Sequence, residues 1–521
     1  MITRYCWSLY LFAISVAASA QSSVNVRFSI NAGITKPISP YLYGTHQPNW
    51  STTSHYLTLS RLGGNRWTAY NWENNASNAG TDWFNQNDGY LGGGEVAGEA
   101  VRGPVQQAFN NNASMIVTIP ICGYAAADKN PPGDVNQTPN YLQVRFRQVK
   151  STKGSAFTYP PSLADAFVYE DEFVSWLENQ FPRPPSDPRK IFYCLDNEPD
   201  LWSSTHPRIH ANPATYAEMI IKTTDFANAI KSVKPTAEVF GPVSYGWYGY
   251  VRLQGAPDNN NRDFLDFYMD QIRAASQTAG KRLIDVLDLH WYPEAKGDGV
   301  RITGEETTPG VVAARVQAPR SLWDPTYSED SWIVTDWLHA PIRLIPLMFE
   351  KIAAHYPGTK LGITEYNYGG GAHISGGIAE ADVLGVFGRE GLYAATLWEL
   401  NANESFIYAG MSAFRNYDGA GSVFGDTSLL ATTTDIPRTS IYASTFSSGP
   451  AKLVIVAINK SLSTVNGSFV LANASSIKSI RAYRLTGSAP AMIPISSKIV
   501  RSPRSFLYSM PPMSVTTLAI N

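Results

Sequence analysis

Between residues 40 and 400, short continuous apolar runs alternate with longer amphipathic stretches. The runs occupy residues 40–46, 57–65, 114–121, 190–198, 237–244, 284–292, 360–366 and 392–400. They are rich in β-branched residues and do not alternate with polar ones, which predicts parallel strands covered on both faces. The stretches between them, 96–110, 163–181, 213–231, 262–279, 341–356 and 376–390, carry apolar residues at helical spacing. Pro213 is expected at a first helical position, with Asn212 as its cap. Eight strands with intervening helices predict an α/β fold, a (β/α)₈ TIM barrel with long insertions. A doubly wound open sheet is the competing architecture. It is disfavoured because no glycine-rich phosphate loop follows any strand.

The texture changes near residue 426. Short strand-like runs such as "RTSIYASTF", "KLVIVAINK" and "IKSIRAYRL" follow one another, separated by Ser, Gly, Pro and Asn turns. This predicts a smaller antiparallel β-sandwich over 426–521. The early run "SVNVRFSIN" lies in the segment 21–35 and is expected to cross over and contribute a strand to it. The barrel then spans 36–425. No Ser/Pro/Gly-rich linker separates the parts, so a tethered module is not expected.

The first 20 residues, "MITRYCWSLYLFAISVAASA", have a basic start, an apolar middle and a small-residue end at Ala18-Ser19-Ala20. That is the pattern of a secretory signal peptide, cleaved after Ala20, and it predicts an extracellular protein. No other stretch is apolar enough to span a bilayer. Composition narrows the ligand class. Lys+Arg total 41 against Asp+Glu 43, a net charge of -2, so neither a nucleic-acid footprint nor a polybasic membrane anchor is present. Charged residues make up only 16% while aromatics reach 12%, with 13 Trp. That balance suits an uncharged ligand with flat apolar faces, although a large aromatic core would produce it too. Cys6 leaves with the leader, and Cys122 and Cys194 are expected as two buried thiols, with one bridge between them as the alternative if their strands are neighbours. No heptad run points to obligate assembly, so a monomer is expected.

In a barrel, chemistry sits at the C-terminal ends of the strands. The fourth run exits as "DNEPDLW" and the seventh as "ITEYNYGG", each carrying a glutamate, Glu198 and Glu365. The fourth and seventh strands lie on opposite sides of a barrel mouth, so the two carboxylates can converge across it. Such a pair suits cleavage of a glycosidic bond: one protonated group donates to the leaving oxygen, the other attacks the anomeric carbon. A separation of about 5–5.5 Å gives retention of configuration. Asn197, beside Glu198, is chemically apt to bond a sugar 2-hydroxyl. Taken singly, Asn-Glu-Pro is only a turn or a helix start, and a glutamate there is equally a helix cap. The combination at two facing exits carries the reading.

The chain resembles glycoside hydrolase family 44, a secreted bacterial group in the large clan of retaining (β/α)₈ glycosidases. The likeness rests on "RLGGNRWTAYNWENNASNAG" (61–80), "DNEPDLW" (196–202), "DLHWYPE" (288–294) and "GITEYNYGGG" (362–371). The resemblance implies that Glu198 is the acid/base and Glu365 the nucleophile. It implies that Arg61 and Tyr292 hydrogen-bond the nucleophile, and that Asn65 and Asn197 bind sugar. It further implies action on β-1,4-glucans, xyloglucan included, from within the chain. No cofactor is expected for the chemistry. Some members carry a structural calcium or similar ion, whose ligands the sequence does not place.

Among the tryptophans at or beyond strand exits (Trp67, Trp72, Trp83, Trp202, Trp247, Trp291 and Trp398), Trp72, Trp202 and above all Trp398 are expected as sugar platforms. Trp332 and Trp337 are candidates for a distal subsite. His290 is expected to face the site. His206 and His210 have a metal-like spacing but no third partner. Glu73 lies near the mouth, as sugar contact, ion ligand or cap, and Glu399 is expected to point away. Residues 367–377, glycine-rich, are expected to form a mobile cleft loop. The resulting reading is a retaining endo-β-1,4-glucanase acting on a β-glucan polysaccharide. An arabinofuranosidase or xylanase of the same clan, and a non-catalytic glycan-binding barrel, are the alternatives.

Overall fold

The computed structural model describes residues 23–51, 57–448, 452–496 and 499–521. The expected leader, 1–20, lies outside the described residues. The eight expected barrel strands form at Tyr41–His46, Leu59–Leu62, Ser114–Ile119, Ile191–Leu195, Val239–Ser244, Val286–Trp291, Lys360–Tyr366 and Ala394–Leu397. Each pairs in parallel with its neighbours, and the third joins the second and fourth, closing an eight-stranded barrel.

The continuous apolar runs have a simple cause. In the fourth strand, Phe192 and Cys194 point into the barrel with Tyr41, Leu59, Ile116, Phe240 and Val286. Ile191, Tyr193 and Leu195 point outward under the helices. Both faces are apolar because both are covered. The same alternation turns Arg61, Asp288 and His290 inward, toward the mouth.

Helices follow at Glu99–Asn110, Glu170–Gln180, Tyr216–Val233, Phe264–Ala279, Leu344–His355 and Ile374–Glu390, with a further one at Ser405–Arg415. The third of these starts later than expected. Thr215 caps it, its hydroxyl accepting from the Glu218 amide at 3.0 Å, so Pro213 and Asn212 precede the helix. A hydroxyl at the cap position satisfies an amide that proline at the first turn would only have removed.

The C-terminal strands and Ser23–Pro37 build one ten-stranded sheet. Ser23–Pro37 pairs antiparallel with Thr427–Thr433 but parallel with Thr464–Ala472, so the sheet is not wholly antiparallel. Phe28, Phe469 and Phe506 stack in its core. They share that core with Ala482 and Leu518 from the other end of the strand order, so the sheet folds back on itself as a sandwich. The helix Ile374–Glu390 lies between sandwich and barrel. Its Asp382 accepts from the Tyr442 hydroxyl at 2.6 Å and from Lys460 at 3.2 Å, both on the sandwich.

Cys122 and Cys194 are both free and buried. Among the described residues no helix is long and apolar enough to cross a membrane.

Candidate active site

The fourth strand ends in a sharply bent segment. Asp196 and Glu198 both adopt left-handed backbone, φ 66° and 44°, on either side of Asn197. Such conformations persist only where the surroundings over-determine them. Here two buried aspartates do so. Asp196 accepts from Thr68, the Asn197 amide and the Trp202 indole on one oxygen, and from the Ile121 and Cys122 amides on the other. Asp200 accepts from the Ser244 hydroxyl at 2.7 Å and the Tyr245 amide at 2.9 Å. The exit of the fourth strand is thus tied to those of the third and fifth.

Glu198 occupies the cap position of the turn Pro199–Leu201, yet its side chain makes no capping bond. The carboxyl turns into the mouth instead. Glu365 meets it from the seventh strand. The pairing of the sixth and seventh strands slips between Leu289 and His290, which sets His290 opposite Glu365. A bulge of this kind re-aims side chains beside a site.

One carboxylate oxygen of Glu198 and one of Glu365 lie within 4.8 Å of each other and of the His290 ring. Arg61 donates to Glu365 Oε1 at 2.7 Å, and the Tyr292 hydroxyl donates to Oε2 at 2.9 Å. His290 Nδ1 lies 2.8 Å from Glu198 Oε1 and 3.4 Å from Glu365 Oε2. Burial pushes Glu198 up to about 7, with Arg61 opposing and the charge of Asp82 adding to the rise. Burial lowers His290 to about 3, so the ring is neutral. Asn197 is fixed by two donors on its carbonyl, Arg61 Nη2 at 3.1 Å and the Gly64 amide at 3.2 Å.

The carboxylates sit where two cavities meet. A cavity of 680 Å³ is lined by Asn65, Asp82, Trp83, Tyr90, Trp398 and both glutamates. A second, of 290 Å³, is lined by Tyr245, Trp247, Trp332, Glu294 and Glu198, but not Glu365. Glu198, Tyr292 and Leu400 border both. A groove of similar size on the sandwich, lined by residues such as Arg27, Asn466 and Leu507, contains no carboxylate or imidazole for this chemistry.

The expected site residues divide into three groups. Glu198, Glu365, Asn65, Asn197, Tyr292 and Trp398 border the first cavity. Arg61 and His290 are wholly buried and act on the glutamates from beneath. Trp72 and Trp202 are corrections. Trp72 stacks on Phe173 at 5.5 Å and beside Trp176, and its indole donates to the Tyr169 carbonyl. Trp202 is buried, bonded to Asp196 and covered by Lys222. Both follow strand exits in sequence, but the chain folds them under the helices, where a large flat ring fills core volume.

Trp398 is half-buried, its ring edge-on to His46. It approaches Gly64 so closely that a Cβ there would stand 2.6 Å from the indole, and Gly64 has φ 89°. Glycine is required at that position on both counts. Trp83 is 48% exposed and lines the cavity, a platform better placed than either buried tryptophan. Trp332 borders the second cavity, while Trp337 packs against Tyr248 and Arg252.

Residues 367–377 are a further correction. Asn367, Tyr368 and the three glycines after them are buried, and Arg315 donates to the Tyr368 carbonyl and Ser375. A segment so packed behind the seventh strand does not line the cleft. Glu73 is buried away from both cavities and pushed up to about 8, chiefly by burial. Glu399 is exposed and bonds Tyr408. His210 pairs with Glu218, and His206 is buried against the Asn78 carbonyl. Asp82, Tyr90, Leu91 and Tyr245 were missed. The only sequence signal for the first three was polar and aromatic density after the second strand.

The calcium expected from the resemblance would need converging oxygens. Among the described residues, the group of three acidic or imidazole side chains close enough to share an ion is Glu198, His290 and Glu365. That trio is the candidate reaction centre, and among the described residues no second trio of such side chains is close enough to share an ion.

A barrel whose fourth and seventh strands present facing carboxylates in an open cleft is the arrangement of a glycoside hydrolase. The family model for glycoside hydrolase family 44 matches residues 76–295. Endoglucanase A of Paenibacillus lautus is 42% identical over 521 residues, covering 96% of this chain and 73% of that protein. A family 44 xyloglucanase of Paenibacillus polymyxa, solved with xyloglucan, superposes with a TM-score of 0.91 at 39% identity, covering 96% of this chain and 100% of that one. The family 44 endoglucanase of Clostridium thermocellum gives 0.90 at 39% identity, covering 95% and 99%. The chain belongs to glycoside hydrolase family 44.

Proposed function

We propose that the protein is an extracellular endo-β-1,4-glucanase that also cleaves xyloglucan, with retention of anomeric configuration. The observation that carries this is the placement of two facing carboxylates where two cavities meet, so that a polymer can lie across them. The relatives named as endoglucanase and xyloglucanase support the substrate class. The sequence pattern of a leader, residues 1–20, supports export.

Each cavity has its own part in this reading. A sugar undergoing attack must touch both carboxylates, so the cavity lined by Glu198, Glu365 and Asn197 holds the glycone. The leaving group needs only the acid, so the cavity lined by Glu198 without Glu365 holds the aglycone. Glu365 attacks the anomeric carbon while Glu198 gives its proton to the departing oxygen. The glycosyl–Glu365 ester forms and the aglycone leaves as an alcohol. Glu198, now ionised, takes a proton from water, whose oxygen attacks the anomeric carbon from the face the aglycone left and displaces Glu365 as a carboxylate. A carboxyl pushed up to about 7 can serve in both directions. Asn197, held by its carbonyl, is free to donate an N–H to the sugar 2-hydroxyl. One oxygen of each carboxylate lies within 4.8 Å of the other, closer than the roughly 6.5–9.5 Å between carboxyl groups of inverting enzymes, which supports retention. The chemistry uses no metal ion.

Reducing-sugar release on carboxymethyl cellulose, xyloglucan, xylan and an aryl arabinofuranoside tests the proposal, with viscosity and anomeric proton NMR followed in parallel. Rapid viscosity loss on the glucans with a β-anomer first product is expected. Activity confined to the arabinofuranoside, or an α-anomer first product, would overturn it.

A further inference from the structure

Beneath the glycone cavity an unbroken hydrogen-bond chain runs from the rim to Glu365. Asn65 Nδ2 donates to Asp82 Oδ2 at 2.9 Å, and Asn197 Nδ2 donates to Asn65 Oδ1 at 3.3 Å. Arg61 Nη2 donates to Asn197 Oδ1 at 3.1 Å, and Arg61 Nη1 donates to Glu365 at 2.7 Å. An amide has nearly the same outline either way round, so only its partners decide which end is oxygen. Asn197 is decided at its carbonyl end by Arg61 and the Gly64 amide, which can only donate there. Asn65 has no such donor pair. Its carbonyl accepts from the Asn197 N–H, and its NH₂ group is anchored on the far side by donating to the Asp82 side chain.

The turn that carries Asp82, Gly80–Trp83, is itself pinned. Gly80 has φ 58°, and a Cβ there would stand 1.9 Å from the Thr205 carbonyl, just beyond the Glu198 segment. The Gly80 amide donates to Asn78 at 2.8 Å, and Thr81 donates to the Ser204 carbonyl at 3.3 Å. Asp82 is therefore a fixed acceptor at the rim.

We propose that Asp82 is a positioning residue for the reaction centre. By accepting from Asn65 it holds that side chain in place, so that Asn197, already oriented by Arg61 and Gly64, keeps one N–H on Asn65 Oδ1 and aims the other at the 2-hydroxyl of the sugar under attack. This rests on the reading of Asn197 and the two glutamates given above. No role for Asp82 follows from the glutamate pair alone.

The test compares an aryl β-cellobioside with its analogue lacking the 2-hydroxyl on the reacting sugar, using the full-length enzyme. Asp82→Ala, which removes the acceptor, should lower kcat/KM on the parent substrate about tenfold when assayed well below the Glu198 value of about 7, the rate equivalent of one hydrogen bond to a developing charge. The loss should fall on kcat rather than KM, and the deoxy substrate should be nearly unaffected. Asn65→Leu should reproduce that selective loss, and adding Asp82→Ala to it should cost nothing more at that pH. Equal losses on both substrates, a loss confined to KM, or full additivity with Asn65→Leu would overturn the proposal. Asn197→Ala separates the two levels. If it preserves discrimination for the 2-hydroxyl, the reading of the site fails. If it abolishes discrimination while the Asp82 and Asn65 variants do not, only the role of Asp82 fails.

Discussion

The Nδ1 atom of His290 stands 2.8 Å from Glu198 Oε1, on a ring with no solvent exposure. The same atom is 3.4 Å from Glu365, and the far nitrogen, Nε2, has no hydrogen-bond partner among the described residues. Burial keeps the ring neutral, so it bridges the two carboxyls without neutralising either. His290→Ala should lower kcat by about tenfold to a hundredfold, the equivalent of a hydrogen bond to a charged group. It should also move the basic limb of the pH profile. Unchanged kcat and profile would remove His290 from the proton machinery.

The two glutamates should separate by leaving group. Glu365→Ala should abolish turnover on every substrate while leaving glucan binding, measured by calorimetry, nearly intact. Glu198→Gln should cost about 10²- to 10⁴-fold on glucan, the usual worth of a general acid, and far less on an aryl glycoside whose leaving group needs no proton. A uniform loss for Glu198→Gln would argue against its acid role.

The acid must hold its proton to donate it. With Glu198 pushed up to about 7, kcat/KM on glucan should fall as pH rises through that value. Asp82→Asn removes one charge that contributes to the rise and should shift the limb to lower pH. A limb that stays put would mean that burial alone sets it.

Stability should respond to pH as well. Burial raises Asp200 and Asp288 to about 7 and Glu380 to about 8. Below their unfolded values these groups are protonated in both states. Above them only the fold retains the proton, and its advantage is lost as pH rises through the raised values. His206 and His290 act in the opposite sense, costing stability as pH falls below 6.5. The clear window is therefore pH 6.5 to 8, where the melting midpoint should drop with rising pH. A midpoint that rises across that range would contradict the burial-driven shifts.

Two tryptophans test core against cleft. Trp72→Ala should destabilise the fold by about 3–5 kcal/mol, as large-to-small core changes do, seen in chemical denaturation. Trp398→Ala should raise KM for oligosaccharides with a smaller loss of stability. The reverse pattern would return Trp72 to the cleft.

The barrel was legible because its strands are covered on both faces. A run such as "KIFYCLD" therefore shows no polar alternation, and the intervening helices keep their own spacing. Glu198 and Glu365 were legible because chemistry in this fold is confined to strand exits. The tryptophans were not. Trp72 and Trp398 both follow strand exits, and a preference for aromatic surroundings is common to a sugar platform and a packed core.

The sequence by itself determined which residues are apolar at each period, and so the order of strands and helices and the pair of glutamates at their ends. Only the tertiary structure decided which side of each exit faces the cleft. That depends on a few left-handed residues and a slipped register between Leu289 and His290. It also decided that Asp82, Asn65, Asn197 and Arg61 form one chain to Glu365. Hydrogen bonds between residues so distant along the chain leave no periodic trace, because each is made by the closure of the barrel and not by its local pattern.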